Sequence, residues 1–136
     1  MARVALDADV VIAFLDPSDA QHQRAVETLG AHLAAGDDVL IAATVYAEVI
    51  VRPLRYGTDG KVDEFLAAIG AHVVEVERLL ARRAAELRAR HSSLRLPDAM
   101  SLATALAGAA ELLTLDRALQ RIADREIHGW RDQRPR

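Results

Sequence analysis

Residues 3–15, RVALDADVVIAFL, read as a strand that ends on an acid and turns at once into a helix. Residues 3–6 are a short apolar run closed by Asp7, the pattern of a buried strand, and residues 10–15 follow as a short helix. The same alternation recurs outward from there. Residues 19–35 place Ala25, Val26, Leu29 and Leu33 at helical spacing, with Gly36 as a C-terminal cap. Residues 39–43 predict a second strand, and Thr44 an N-cap for a helix that runs to about residue 51 and is stopped by Pro53. A loop over residues 55–60 and a helix over 62–69 lead to a third strand at 72–76.

Residues 77–90 form an amphipathic helix, with Val76, Leu79, Leu80, Ala84 and Leu87 on one side and arginines on the other. Pro97 precedes an Ala-rich helix over 98–107. A fourth strand at 111–115, a helix over 117–124 and a short fifth strand near 127–130 complete the chain. Strand and helix in alternation predict an α/β fold: a central parallel sheet of four to five strands flanked by helices in three layers. Residues 1–130 are expected to form one domain, with 131–136 as a short basic tail.

The 136 residues suit a single domain of roughly 100–150 residues, and a 51% hydrophobic content excludes a disordered chain. The absence of cysteine removes disulfide scaffolds, thiolate zinc sites and cysteine nucleophiles together. The longest apolar run, residues 10–15, falls far short of the ~20 residues of a membrane span, and Asp7 and Asp9 interrupt any signal-peptide core. A soluble, cytoplasmic protein is therefore expected. Residues 1–68 carry 11 acids and 5 bases, residues 69–136 carry 9 acids and 12 bases. The overall charge of −3 means that nucleic acid could be held only through a local patch.

Four segments each set an acid at a strand end or in the helix just after one: Asp7 and Asp9 in VALDADV, Glu48 in TVYAEVI, Asp98 in LRLPDAM and Asp116 in LLTLDRA. Singly, each has a plainer use. Asp7 and Asp116 suit turns, Asp9 suits a helix cap, Glu48 is an ordinary helix former, and Asp98 serves the dipole at a helix start. Jointly they mean more. In a parallel sheet the strand ends share one rim, where ligands collect, so these carboxylates would converge in one hollow. Clustered carboxylates repel one another unless a cation compensates, and hard oxygen ligands select Mg2+ or Mn2+. Such an ion polarises a phosphoryl oxygen and activates water, which is what phosphodiester hydrolysis requires.

The order VALDADVVIAFL, TVYAEV, LRLPDAMSLATAL, ELLTLDRAL resembles the PIN-domain nucleases over essentially the whole chain, and most of all the VapC ribonuclease toxins of bacterial toxin–antitoxin pairs. LPDAMSLATAL followed by LLTLDRAL is the more specific half. The resemblance implies that Asp7, Glu48, Asp98 and Asp116 are the catalytic, metal-binding acids. It also implies that Thr114 is a hydroxyl that orients the fourth acid or a bound water. Asp9 stands where many relatives have Ser, Thr or Asn, and is either a further ligand or a helix cap. A Mg2+- or Mn2+-dependent endoribonuclease is implied, together with a homodimer and a cognate VapB-like antitoxin. The tail of that antitoxin often covers the acidic hollow. An anionic cleft is in any case a natural receptor for a partner's Arg or Lys. Neutralising Asp7 or Asp98 is expected to stop cleavage and leave the fold intact or more stable.

Arg78, Arg82 and Arg83, with Arg88, Arg90 and Arg95 beyond them, form either a solvated helix face or an RNA backbone track. Arg131, Arg134 and Arg136 in the tail carry no assigned role. Tyr46 and Trp130 suit packing better than base stacking, and Tyr56 is the better exposed ring. The five histidines show no HExxH spacing, which argues against a zinc site. Two other functions compete. The DADV sequence resembles the nucleophile motif of haloacid-dehalogenase-type phosphohydrolases, but the sole lysine, Lys61, lies mid-chain rather than late. A non-catalytic RNA- or protein-binding PIN scaffold would not need all four acids.

Overall fold

The computed structural model describes residues 2–132. The chain runs β1 (Arg3–Leu6), α1 (Ala8–Leu15), α2 (His22–Ala34), β2 (Asp38–Ala42), α3 (Ala43–Tyr56), α4 (Asp59–Ala68), β3 (His72–Val74), α5 (Arg78–Arg90), α6 (Leu96–Ala107), β4 (Glu111–Leu113) and α7 (Arg117–Asp132). The four strands pair in parallel in the order β3-β2-β1-β4, with Val4 opposite Val39, Leu6 opposite Leu113 and Ala42 opposite Val74. Among the described residues no helix is long and apolar enough to cross a membrane.

The two-residue period of a strand divides the core. Val4 and Leu6 of β1, with Val39 and Ile41 of β2, point into one layer, where they meet Val10 and Val11 of α1, Leu29 of α2, Val45 of α3 and Leu66 of α4. The residues between them point the other way. Ala5 and Leu112 meet Leu80 and Leu87 of α5, Leu102 of α6 and Leu119 of α7. Each face of the sheet is thus covered by helices, the arrangement that parallel strands require. Helix α6 is buried on every side through its middle, from Ala99 to Ala105. That explains why it is built from Ala, Leu, Met and two small hydroxyl residues.

Several local expectations are corrected. Residues 127–130 are helix, not a fifth strand: buried Leu119, Ala123 and Ile127 extend a four-residue apolar stripe through them, and α7 runs on to Asp132. Glu126 fixes this helix to α5, accepting from Arg90 Nη2 at 3.1 Å and lying 2.6 Å from His91 Nε2. Helix α3 passes through Pro53 instead of ending before it. Its stop is Gly57 at φ 70°, where Thr58 N–H donates to Pro53 O and Gly57 N–H to Leu54 O. The expected loop over 55–60 shrinks accordingly. Thr44 is not the N-cap of α3; Ala42 is, and the Thr44 hydroxyl is buried inside the first turn with no hydrogen-bond partner. The third strand is also shorter than expected, ending at Val74. The side chain of Trp130 and those of Arg131, Arg134 and Arg136 lie outside the described residues.

Candidate active site

Because all four strands run the same way, the ends of β1, β2 and β4 open on one rim, with β1 between its two neighbours. Asp7 leaves the end of β1 and becomes the N-cap of α1, its Oδ1 accepting from Ala8 N–H at 3.0 Å. This carboxylate is only 7% exposed. A buried charge needs donors, and two hydroxyls from distant segments supply them: Ser101 Oγ of α6 donates to Oδ1 at 3.1 Å, and Thr114 Oγ1, just after β4, reaches Oδ2 at 3.0 Å.

Asp9 lies two residues on, in the first turn of α1. Its Oδ2 accepts Leu115 N–H at 3.0 Å and lies 3.2 Å from Thr114 Oγ1, so it is not the helix cap. Thr114 has one O–H, so it can serve Asp7 or Asp9 at a given moment but not both. Asp9 Oδ1 is buried with no hydrogen-bond partner. Burial, followed by the charge of Asp7, pushes the Asp9 carboxyl up to about 6.

The remaining acids approach from other elements. Glu48, on α3 after β2, is raised above the usual carboxylate range by burial and then by the charges of Asp7 and Asp98. Asp98, in the first turn of α6 behind Pro97, is raised by burial, by Asp7 and more weakly by Asp116. Arg95 opposes both shifts. Its Nε lies 3.3 Å from Asp98 Oδ2 while the rest of its side chain stays exposed. Asp116 has the local use expected of a turn residue, capping α7 through Oδ1 to Ala118 N–H at 2.9 Å and Leu119 N–H at 3.2 Å. Its own N–H is held by Thr114 Oγ1 at 3.1 Å. Asp7, Asp9, Glu48, Asp98 and Asp116 therefore share one electrostatic neighbourhood.

A hard dication suits this donor set. The set is all oxygen, and one buried carboxylate oxygen lacks a partner. Among the described residues, no three His, Cys, Asp or Glu side chains stand close enough to enclose an ion by themselves. Mg2+ keeps several waters and takes only one or two carboxylates, so it does not require such an enclosure.

The arginines of α5 are not drawn into this neighbourhood. Arg82 pairs with Glu86 at 3.3 Å. Arg83 lines a separate cavity with Glu75, Glu77 and Leu106, at the opposite end of α6 from Asp98. Arg78 is exposed; Arg88 and Arg90 bind Leu94 O and Glu126. Two contributors lay outside the expected set: Ser101, and Arg24 of α2, which donates from Nη1 to Leu115 O at 3.3 Å. Arg95, expected on the arginine track, instead pairs with Asp98. For Ser101 the one signal in the sequence is a hydroxyl inside an otherwise apolar helix.

A family model described as PIN domain matches residues 4–125. No curated protein matches the sequence. Among solved structures, a toxin–antitoxin complex from Klebsiella pneumoniae is 25% identical, with TM-score 0.66, over 83% of this chain and 86% of that one. The Mycobacterium tuberculosis toxin VapC20, which cleaves the sarcin–ricin loop, is 19% identical with TM-score 0.70, over 87% and 93%. VapBC2 from Rickettsia felis, bound to a DNA fragment from its promoter, is 18% identical with TM-score 0.67, over 88% and 92%.

Proposed function

The chain belongs to the PIN-domain family, and on that premise we propose that it is the ribonuclease toxin of a toxin–antitoxin pair, hydrolysing RNA phosphodiester bonds with Mg2+ or Mn2+. The observation that carries this is the placement of Asp7, Glu48 and Asp98, three carboxylates from distant segments, at one rim of a parallel sheet, where the charge of Asp7 is felt by the other two. The similarity to VapC20 and to the Klebsiella complex supports it.

One or two of Asp7, Glu48, Asp98 and Asp116 would bind the ion directly, and the others, with Asp9 Oδ1, would meet it through its waters. When bound, the ion polarises the phosphoryl oxygen and lowers the pKa of water. The protein's own groups do the rest. Asp7 is fixed by three donors and keeps its orientation. Glu48, raised above the usual carboxylate range, is suited to take the proton of the attacking water at its carboxylate. Arg95 can leave Asp98 for a phosphate oxygen at little cost, since exposed ion pairs are worth roughly 0–1 kcal/mol. Arg78, Arg82 and Arg83 lie away from the acids and would meet RNA only where it runs on beyond the cleft.

The antitoxin would bind beside the same acids. A groove of about 500 Å3 is lined by Glu48, by apolar Ile12, Leu15, Val49 and Val62, and by Arg52 and Lys61. An apolar partner segment would cover it, and the adjacent carboxylates would take a basic side chain. A homodimer is the proposed assembly.

Incubation of the purified protein with total RNA and Mn2+, with and without EDTA, tests the activity, and sequencing of the new RNA ends identifies the cleaved site. Metal-dependent ends lost in Asp98→Asn support the nuclease. RNA binding without cleavage in wild type would instead favour a non-catalytic scaffold.

A further inference from the structure

From Ala99 to Ala105, α6 is wholly buried, and Ser101 and Thr104 are its two polar side chains there. Their hydroxyls behave differently. Thr104 Oγ1 donates back to Met100 O at 2.8 Å, within its own helix, as a buried helical threonine commonly does. Ser101, 2% exposed, leaves its helix and donates to Asp7 Oδ1, 94 residues away in sequence. Alanine would pack as well at this position, so the hydroxyl has its use on Asp7.

The two oxygens of Asp7 are consequently unlike. Oδ1 accepts both Ala8 N–H and Ser101 Oγ, which fills its two lone-pair directions. Oδ2 has only the Thr114 hydroxyl, and that hydroxyl is contested by Asp9. Among the described residues no second acceptor competes for Ser101.

We propose that Ser101 is a positioning residue for Asp7: with Ala8 N–H it saturates Oδ1, fixes the carboxylate, and leaves Oδ2 as the oxygen offered to a cation. This rests on the nuclease reading above, because it presumes that a divalent ion is taken at Asp7. Partners of this kind behind a metal-binding side chain are typically worth 10–100-fold in metal affinity or activity.

The test compares Ser101→Ala with Thr104→Ala, which removes an equally buried hydroxyl from the same helix, and with Ser101→Thr, which restores a donor. Mn2+ affinity is read by electron paramagnetic resonance on the full chain, alongside melting temperature and the kcat and KM of RNA cleavage. Ser101→Ala should bind Mn2+ about 10-fold more weakly and lose kcat by a similar factor, with KM for RNA unchanged. Thr104→Ala should keep wild-type Mn2+ affinity, and Ser101→Thr should recover most of it. Wild-type affinity and kcat in Ser101→Ala would overturn the proposal, as would an equal loss in Thr104→Ala. Should Ser101→Thr not fold, the two alanine variants decide between them. A wild-type protein that binds no Mn2+ removes the nuclease reading and this inference with it. Mn2+ binding that is normal in wild type and in Ser101→Ala overturns the inference alone.

Discussion

Asp9 Oδ2 accepts the backbone N–H of Leu115 at 3.0 Å, tying the first turn of α1 to the exit of β4 across 106 residues of sequence. The bond holds the segment that carries Thr114 and Asp116 against the segment that carries Asp7. It does so with a carboxylate that burial and Asp7 together push toward neutrality.

That opposition has a pH signature. The Asp9 carboxyl titrates near 6 in the folded chain and at about 3.8 when unfolded, so between these values the folded state binds more protons. Stability therefore rises as pH falls from about 7 toward 4, and the destabilising contribution is complete once pH exceeds the folded value. Glu48 and Asp98 are shifted in the same direction and add to the trend. Without divalent ions, thermal melts of wild type at pH 5 should lie above those at pH 7.5. The gap should narrow in Asp9→Asn; an unchanged gap would remove Asp9 as its source.

Neutralising the acids should stop cleavage in every case but affect the fold in two ways. Asp98→Asn relieves repulsion from Asp7 and Asp116 and gives up only an exposed partner, Arg95. Its melting temperature should equal or exceed that of wild type. Asp7→Asn replaces an acceptor of three donors by an amide with one oxygen, so at least one buried donor loses its partner, at roughly 1–3 kcal/mol. We expect it to melt lower, contrary to the simple charge-relief argument. Cleavage should fall by at least about 100-fold in both, as expected for loss of a group that acts on the transition state.

Divalent ions should reverse the sign of the acids' effect on stability. Saturation at about 100 times the dissociation constant contributes about 2.7 kcal/mol through binding to the folded state. Mn2+ should raise the melting temperature of wild type, EDTA should abolish the rise, and Asp98→Asn should show little of it. A rise that survives in Asp98→Asn would place the ion elsewhere.

For the α5 arginines, salt dependence separates an RNA track from a solvated face. Each phosphate contact to single-stranded RNA contributes about 0.7 to the slope of log affinity against log salt. Replacing Arg78, Arg82 and Arg83 by Gln should lower the slope by about 2 if all three make contact. An unchanged slope would assign them to solvent and, for Arg82, to its pairing with Glu86.

The layered α/β fold, and the placing of acids after the ends of β1, β2 and β4, were legible because strand and helix periodicities differ and each acid follows an apolar run. Two local errors share a cause: a residue's intrinsic preference was outweighed by what surrounds it. Pro53 forfeits the N–H bond to Val49 O, yet α3, packed through buried Val45 and Val49, continues past it to Tyr56, and Gly57 completes the stop. Ile127 and Trp130 favour strands, yet the stripe from Leu119 to Ile127 packs only as a helix. The role of Ser101 was invisible for another reason. A hydrogen bond between residues 94 apart leaves no local trace, and a serine in an alanine-rich helix reads as a small residue chosen for packing.

The uniform strand direction also defines a rim that faces away from the acids, where the chain enters each strand. The turn before β3 passes there through Gly70, at φ 66° and with nothing within 4 Å of where a Cβ would stand. A reporter domain spliced at this bend would project from the far side of the molecule, so that antitoxin capture and RNA turnover could be followed by fluorescence in a protein whose cleft is left unobstructed.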